Sequence, residues 1–374
     1  MARSPSPLVE LARFFGHLGL TAFGGPAAHI ALMHRELVGG RHWLTDAEFL
    51  DVVGASNAIP GPTSTEVAMY VGRKRAGIPG LVVAGVAFIA PAALVVGILA
   101  WAYVRYGTQP ALADVFEGVK PVVLAIVALA VVQLGRTALR SVTLGVIGGV
   151  VLILYLAGLD EPVLLLGAGA LAAIAARRPR FLSVPVLLPV LLAGGPVGAA
   201  TADPGLVRIA TAFLKIGALL FGSGYVLLAF LHRDLVESGG FLTQEQLLDA
   251  IAVGQFTPGP LFTTATFVGY VLAGLPGAVV ATVAIFLPGF LLVAALEPVM
   301  TRMRRSATTA AALDGLNVAA VAVMVGVAWV LARDAVVDVP TAVVAVAALA
   351  VLLRWRINAA WLVAAGALFG LLAR

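Results

Sequence analysis

The sequence has no cysteine among its 374 residues, and only 11% of them carry a charged side chain. The absence of cysteine excludes disulfides, thiolate metal sites and cysteine nucleophiles. Its five histidines are not clustered at the spacing of metal ligands, so we expect neither a metal site nor a cofactor. Charge is also far scarcer than the roughly 25% of a soluble domain, which excludes a water-soluble fold.

Apolar side chains take the place of the missing charge, at 61% of the residues and a mean hydropathy of +1.04. They fall in repeated windows such as 81–103, 142–159 and 279–296. A bilayer core about 30 Å thick needs roughly 20 helical residues, so several windows are long enough to span it. The basic residues lie at the ends of these windows, which indicates membrane topology and not nucleic-acid binding. We expect no cleaved signal peptide.

The two halves of the chain repeat each other at a spacing of 198 residues, which becomes 197 after one deletion in the second copy. Glycine, proline and polar positions match in register, whereas apolar bias alone would align only Ala, Val and Leu. The triplet Pro60-Gly61-Pro62, for example, returns as Pro258-Gly259-Pro260. The sequence therefore predicts a first membrane repeat at 1–180, a linking transmembrane segment at 181–204 and a second membrane repeat at 205–374.

Charge at the connections indicates how the two copies sit, because Lys and Arg are enriched on the cytoplasmic side of a membrane. In the first half the connections at 73–75 and 136–140 are basic, and the connection at 160–161 is acidic. In the second half the bias is shifted by one step, with an uncharged connection at 272–276 and a basic one at 302–305. We therefore predict an all-α polytopic membrane protein of two inverted-topology repeats, an arrangement typical of secondary transporters.

The first two segments of each half contain residues that break helices midway. The first segment is interrupted at Gly24-Gly25-Pro26 and its copy at Gly222-Ser223-Gly224, and the second segments are interrupted at the Pro-Gly-Pro triplets. Each piece has about 12 to 15 residues, or roughly 20 Å of helix, which is too short to span. We interpret the pieces as four re-entrant hairpins whose tips meet near the middle of the bilayer. The alternative is long helices that kink at Gly and Pro.

Each break begins a new half-helix, and the first turn of a helix leaves N–H groups that carry a partial positive charge. Such groups bind anions, and hydroxyl donors beside them suit an oxyanion. The alternative role of the hydroxyls is to cap their helices. The sequence therefore predicts a substrate site from residues at both breaks: Gly24, Gly25, Asn57, Pro60, Gly61, Pro62, Thr63, Ser64 and Thr65 in the first copy, and Gly222, Ser223, Gln255, Pro258, Gly259, Pro260, Thr263 and Thr264 in the second.

Three ionisable residues add to this site. His17 and Lys215 occupy the same place in the two copies, each within an apolar run, and predict a paired anion clamp. The alternatives are a neutral, hydrogen-bonded His17 and a Lys215 that extends to the membrane interface. Glu66 follows the first triplet and is a candidate for proton coupling, or else a carboxylate that stabilises the start of its helix.

These motifs resemble the chromate ion transporter family in its long two-domain form. The first half carries Phe23-Gly24-Gly25-Pro26-Ala27-Ala28-His29-Ile30 and Asn57-Ala58-Ile59-Pro60-Gly61-Pro62, and the second carries Gln255-Phe256-Thr257-Pro258-Gly259-Pro260. The resemblance covers nearly the whole chain. It implies chromate efflux across the bacterial plasma membrane, with sulfate as a structural analogue of the substrate. The family often has Lys at the position that His17 occupies.

The main hypothesis is a secondary transporter that exports chromate by alternating access. Its partners are the oxyanion and the lipid bilayer, with no nucleic acid, and homodimerisation is left open. Sulfate or another oxyanion is the alternative substrate. A membrane-embedded enzyme is the alternative from another class, although the acidic residues show no metal-binding pattern. A channel is disfavoured because nothing in the sequence suggests a ring of charges.

The inverted repeat predicts opposite sidedness for two equivalent connections. Because the chain has no cysteine of its own, Arg75→Cys and Ala273→Cys each introduce a single thiol. We expect a membrane-impermeant thiol reagent to label one variant from the cytoplasmic side and the other from outside. Labelling of both positions from the same side would contradict the inversion, and the unaltered chain gives the background.

Overall fold

The computed structural model of the chain describes residues 6–23, 25–57, 59–107, 109–176, 205–220, 226–237, 240–304, 306–355 and 357–373. The predicted linking segment at 181–204 lies outside these residues. The described part has helices and no strand, which confirms the all-α prediction. Its fourteen helices are α1 (Pro7–Thr21), α2 (Gly25–His34), α3 (Asp46–Ser56), α4 (Thr63–Tyr106), α5 (Pro110–Ala138), α6 (Val142–Leu156), α7 (Glu161–Ala175), α8 (Leu206–Leu219), α9 (Leu227–Leu231), α10 (Gln244–Phe256), α11 (Thr264–Arg304), α12 (Ala307–Ala335), α13 (Val339–Arg354) and α14 (Ala359–Ala373).

Helices α1 to α7 return in order as α8 to α14, so the repeat in the sequence is also a repeat in the structure. A π-helical turn follows α2 at Arg35–Gly40, and another follows α9 at His232–Glu237. Both α3 and α10 begin with a capping box, in which a threonine hydroxyl accepts a hydrogen bond from the backbone three residues on. The capping boxes are therefore part of the repeat, because Thr45 and Thr243 are 198 residues apart.

The broken segments of the first half have their ends together at one edge of the molecule. Arg75 pairs with Glu10 near the start of α1, and its guanidinium lies 4.1 Å from the ring centre of Trp43, which precedes α3. Lys74 pairs with Glu48 at the start of α3 and lowers the pKa of that carboxyl to about 2. The chain therefore enters and leaves each broken segment at the same edge, which is the geometry of re-entrant hairpins.

Helices α4 and α11 each reverse direction early in their course. The backbone leaves helical geometry at Ala76 and Gly77 in α4, where Gly77 has a φ of 63°. A Cβ added to Gly72 would overlap the carbonyl oxygen of Gly80, so the two arms of α4 pack antiparallel on bare backbone. Helix α11 repeats the reversal at Ala273 and Gly274. Each helix is thus a short arm followed by a long one.

Four helical stretches in the described part are long and apolar enough to cross a membrane: Thr63–Tyr106, Asp114–Ala138, Leu261–Ala295 and Ala307–Arg333. The helices α6, α7, α13 and α14 are apolar but shorter, at 15 or 16 residues each. These long apolar helices and the family resemblance together identify a membrane protein.

The last helix of each repeat packs against a helix of the other repeat. Helix α14 packs against α5, where a Cβ on Gly118 would overlap the Gly366 carbonyl oxygen. Helix α7 packs in the same way against α12, with Gly315 facing the carbonyl of Ala168. Helices α5–α7 and α12–α14 therefore form one interleaved unit, the six-helix unit. The broken helices and the long arms of α4 and α11 form a second, the hairpin unit.

The long arms of α4 and α11 meet at the interface between the repeats. Gly85, early in the long arm of α4, faces Phe290, late in that of α11. Gly97, further along α4, faces Thr266 of the short arm of α11, whose hydroxyl is hydrogen-bonded to Thr282 early in the long arm. Equivalent helices that cross in opposite directions are expected when a twofold axis lies in the membrane plane. The packing supports the inverted orientation, which stays a prediction as regards the membrane itself.

A second contact between these helices follows from a proline. Pro298 has no N–H, so the Ala294 carbonyl of α11 lacks its helical donor. Arg73 of α4 donates to that oxygen and, at 2.7 Å, to the Val293 carbonyl. These hydrogen bonds attach the end of the short arm of α4 to helix α11 of the second repeat.

Gly72 provides a test of the reversal in α4. We expect Gly72→Ala to destabilise the protein by about 1–3 kcal/mol, because the added methyl meets backbone that must shift. Gly149→Ala in α6 is the matched control, since a Cβ there has nothing within 4 Å. Thermal unfolding in detergent measures both. An equal effect of the two substitutions would show that the arms do not pack closely.

Candidate functional site

The two Pro-Gly-Pro triplets contact the opposite repeat through backbone hydrogen bonds. Gly61 donates its N–H to the carbonyl of Leu220, at 2.7 Å, and Gly259 donates to the carbonyl of Ala22, at 2.9 Å. Ala22 and Leu220 are the last residues before the breaks that follow α1 and α8. We call these four residues the central junction. It brings all four predicted breaks together, although Gly24, Gly222 and Ser223 lie outside the described residues.

Only glycine suits the middle position of each triplet. Gly61 has a φ of 134° and Gly259 a φ of 92°, which side chains rarely adopt. A Cβ on Gly61 would overlap the carboxylate of Glu66, and one on Gly259 would lie 2.5 Å from the Cβ of Ala92. Pro60, Pro62, Pro258 and Pro260 are all buried around these glycines.

His29 connects the first break to the first triplet. Its Nε2 lies 3.1 Å from the Ala22 carbonyl oxygen and its Nδ1 lies 3.3 Å from the Ser64 hydroxyl. A neutral ring protonated on Nε2 satisfies both contacts, because it donates to the carbonyl and accepts from the hydroxyl. His29 is buried, and its copy in the second repeat is Leu227, so this connection exists on one side only.

The hydroxyls after the second triplet bond to their own helix. Thr263 donates to the Pro260 carbonyl and Thr264 to the Leu261 carbonyl, both at 2.8 Å. These contacts match the alternative prediction, in which the hydroxyls cap their own helices instead of binding substrate. In the first repeat, Thr63 donates to Asn57 at 3.4 Å, and the buried Thr65 hydroxyl has no hydrogen-bond partner among the described residues.

Glu66 is fully buried beside the first triplet. Neither of its carboxyl oxygens has a hydrogen-bond partner in the described part of the chain. Besides Gly61, its Oε1 faces Gly289 of α11, where an added Cβ would lie 3.7 Å away. An ionised carboxylate without partners costs several kcal/mol in such a place, so the site accommodates the neutral acid.

The two predicted clamp residues lie apart from the triplets. Lys215 donates to both carboxylate oxygens of Asp234, at 2.9 and 3.1 Å, and is part-buried. His17 is on the exposed face of α1. Neither side chain bonds to the central junction. The clamp stays a prediction, and Lys215 has a carboxylate that already neutralises it.

A polar cavity of about 370 Å³ lies next to the first triplet, between the hairpin unit and the six-helix unit. Asn57 of the predicted site lines it, whereas its counterpart Gln255 is part-buried and its amide nitrogen has no partner among the described residues. The polar and charged side chains around this cavity are Asn57, Thr137, Arg140, Asp314 and Asn317.

Reasoning from sequence did not select His29 at the first triplet, Arg140 at the polar cavity or Asp234, which binds Lys215. His29 stands in a Gly-Gly-Pro motif within an apolar segment, which was a usable signal. Asp234 and Arg140 gave no such signal, because their partners Lys215 and Asp314 are distant in sequence. Gly25, with a φ of 78°, begins α2 as the break predicted.

The chain matches the family model described as chromate transporter twice, at residues 9–174 and 207–371. It is 35% identical to the chromate transport protein of Cupriavidus metallidurans, over 98% of this chain and 93% of that protein. It is 33% identical to the probable chromate transport protein of Synechococcus elongatus, over 94% and 91% of the two chains. An uncharacterized transporter of Methanocaldococcus jannaschii is 28% identical over 81% and 79%. No solved structure matches the chain.

The Lys215–Asp234 pair separates a structural role from a substrate role. We expect Lys215→Ala to cost about 3 kcal/mol of stability, because it leaves a largely buried carboxylate unpaired. The double variant Lys215→Met/Asp234→Asn should recover most of that loss, since it removes both charges. Thermal unfolding in detergent measures each variant. If Lys215→Ala proves as stable as the unaltered chain, the ion pair contributes nothing to the fold.

Proposed function

Because the chain belongs to the chromate transporter family, we propose that it carries chromate across the membrane as an exporter that works by alternating access. The family is one of transport proteins, so the chain is a transporter and not an enzyme. The bacterial plasma membrane is its proposed location, with the lipid bilayer and the oxyanion as its partners.

The observation that carries the proposal is the reciprocal hydrogen bonding at the central junction. Irregular backbone at membrane depth is tolerated only where protein buries it or where it lines a water-filled cavity. Gly61 and Gly259 each satisfy a broken helix end of the other repeat, and the polar cavity adjoins the first of these triplets. A substrate at this interface would contact both repeats, as alternating access requires.

The chemistry of the surrounding groups suits a tetrahedral oxyanion. Asn57 and Asn317 at the cavity offer amide hydrogen-bond donors, and Arg140 offers a positive charge. The buried Thr65 hydroxyl lies nearby in sequence, just after the first triplet. Chromate and sulfate share shape and charge, so these groups would accept either. The family favours chromate, and sulfate is the competitor against which it must be tested.

Export follows from the membrane potential. With a negative cell interior, moving one charge is worth about 2.3 kcal/mol per 100 mV, so a departing dianion gains roughly twice that. Uncoupled exit is therefore downhill. Glu66 adds the option of proton coupling, because a buried carboxyl that is neutral in one state can ionise when water or substrate reaches it.

Everted membrane vesicles test the transport proposal. Vesicles that contain the protein should accumulate chromate when their interior is positive, and vesicles without it should not. Sulfate in excess should reduce uptake only if it shares the site. Chromate uptake measured against time and competitor concentration gives the result.

The direction and the coupling have separate controls in the same assay. Accumulation in right-side-out vesicles, and not in everted ones, would make the protein an importer. Glu66→Gln keeps the size of the buried side chain without a titratable proton. If this variant responds to an imposed pH gradient as the unaltered chain does, Glu66 does not couple protons.

A further inference from the structure

Helices α3 and α10 are equivalent in sequence but differ in their surroundings. Leu50 of α3 is 66% exposed, whereas its counterpart Leu248 in α10 is 1% exposed. Helix α10 packs against α5 and α14 of the six-helix unit, and α3 makes no comparable contact with their counterparts α12 and α7. The hairpin unit is therefore closed against the six-helix unit at α10 and open at α3.

Ion pairs hold the closed side together. Lys120 of α5 is buried, and its Nζ donates to Glu117 and, at 2.7 Å, to Glu245 at the start of α10. Tyr103 of α4 donates at 2.8 Å to Asp249, one turn further along α10. The Lys120–Glu245 pair is one of the contacts that join the hairpin unit to the six-helix unit on this side.

The equivalent place on the other side is the polar cavity. Lys120 corresponds to Asn317, which lines the cavity, and Glu245 corresponds to Ala47, which is exposed at the start of α3. No ion pair can form between Asn317 and Ala47. The same two positions thus give an ion pair in one repeat, whereas in the other Asn317 lines the open cavity and Ala47 is exposed.

The open cavity has the groups that an oxyanion needs. Arg140 lies 3.8 Å from Asp314 and its side chain is 67% exposed, so this loose pair leaves most of the guanidinium available. Asn57, Thr137 and Asn317 add uncharged donors. Thr137 and Arg140 belong to the basic connection at 136–140, which the distribution of charge assigns to the cytoplasm.

We propose that this cavity is the cytoplasmic entrance for the tetrahedral oxyanion, and that α3 and α10 are the two gates, with α3 open and α10 closed in this state. The inference rests on the proposed alternating access and names its moving parts. In the opposite state α3 packs against α12 and closes the cavity, while Lys120 and Glu245 separate and open the outer side.

The exchange of open and closed conformations between α3 and α10 follows from the internal repeat of the chain. Two copies of one structural unit can adopt each other's conformation at similar cost, because the backbone contacts that define each conformation are available to both. Breaking the Lys120–Glu245 pair exposes both charges to water, which offsets the lost attraction. In this proposal the central junction lies between the gates and is reached from one side at a time.

Paired cysteines on each gate test the proposal in the cysteine-free chain. Lys120→Cys/Glu245→Cys should be crosslinked in resting membranes by a reducible bifunctional methanethiosulfonate reagent, with loss of chromate transport that returns on reduction. Ala47→Cys/Asn317→Cys should react poorly at rest and gain crosslinking during turnover with chromate. Equal resting reactivity of the two pairs, or transport that survives either crosslink, would overturn the proposal.

A matched control lies within one unit. Glu10→Cys/Arg75→Cys also replaces an ion pair, but this pair joins α1 to α4 within the hairpin unit and involves neither gate. Its crosslink should leave transport unchanged. A general loss of transport after any crosslink would remove the support that the gate pairs provide.

Labelling of a single thiol tests the cytoplasmic entrance separately from the gates. Thr137→Cys should react with an impermeant thiol reagent in everted vesicles and not in right-side-out ones, and chromate should protect it. Labelling from outside would overturn the assignment. If Lys120→Cys/Glu245→Cys crosslinks at rest and Ala47→Cys/Asn317→Cys does not, but no chromate moves, the substrate proposal fails and the resting arrangement of the gates stands. If chromate moves while both pairs crosslink alike, the gates fail and the transport proposal stands.

Discussion

The fold depends on satisfying backbone groups where helices are broken inside an apolar molecule. A carbonyl or N–H group without a partner costs several kcal/mol in a membrane, so a break is stable only where another part of the protein supplies the missing bond. Here the glycine of each Pro-Gly-Pro triplet donates to the last carbonyl before a break in the other repeat. Each repeat bonds to a break of the other, and this reciprocal bonding explains why the two copies meet at their most irregular segments.

The same constraint separates the parts that stay fixed from those that differ. The central junction bonds alike in both repeats, at 2.7 and 2.9 Å, and the reversals in α4 and α11 have nearly identical backbone angles. The outer faces of α3 and α10 do not match. A symmetric centre with asymmetric flanks is what two inverted copies give when the molecule is open to one side only. In the proposed transport cycle the junction is the fixed point about which α3 and α10 exchange conformations.

Local features made much of this fold predictable. The repeat, the breaks at Gly25 and the triplets, and the turn after Arg73 follow from Gly and Pro, which act on their own neighbours. The partners of Lys215 and Lys120 could not be predicted, because Asp234 and Glu245 reach them through tertiary packing. The difference between Leu50 and Leu248 was also hidden, since equivalent residues carry no signal of which conformation each copy adopts. For the candidate site, the sequence predicted where the helices break but not which ion pairs form or where the cavity lies.

The distribution of charge also suits a carrier that must release its cargo. Lys120 and Lys215 are each neutralised by carboxylates, and the hydroxyls of Thr263 and Thr264 are bound to their own helix. A pathway lined by free cations would hold a dianion too strongly, because conduction requires binding that is favourable enough to enter yet weak enough to leave. Positive charge that is already paired can attract an anion only as its carboxylate moves away. In the proposed cycle, separation of the Lys120–Glu245 pair links binding to movement, as a carrier requires and an open pore does not.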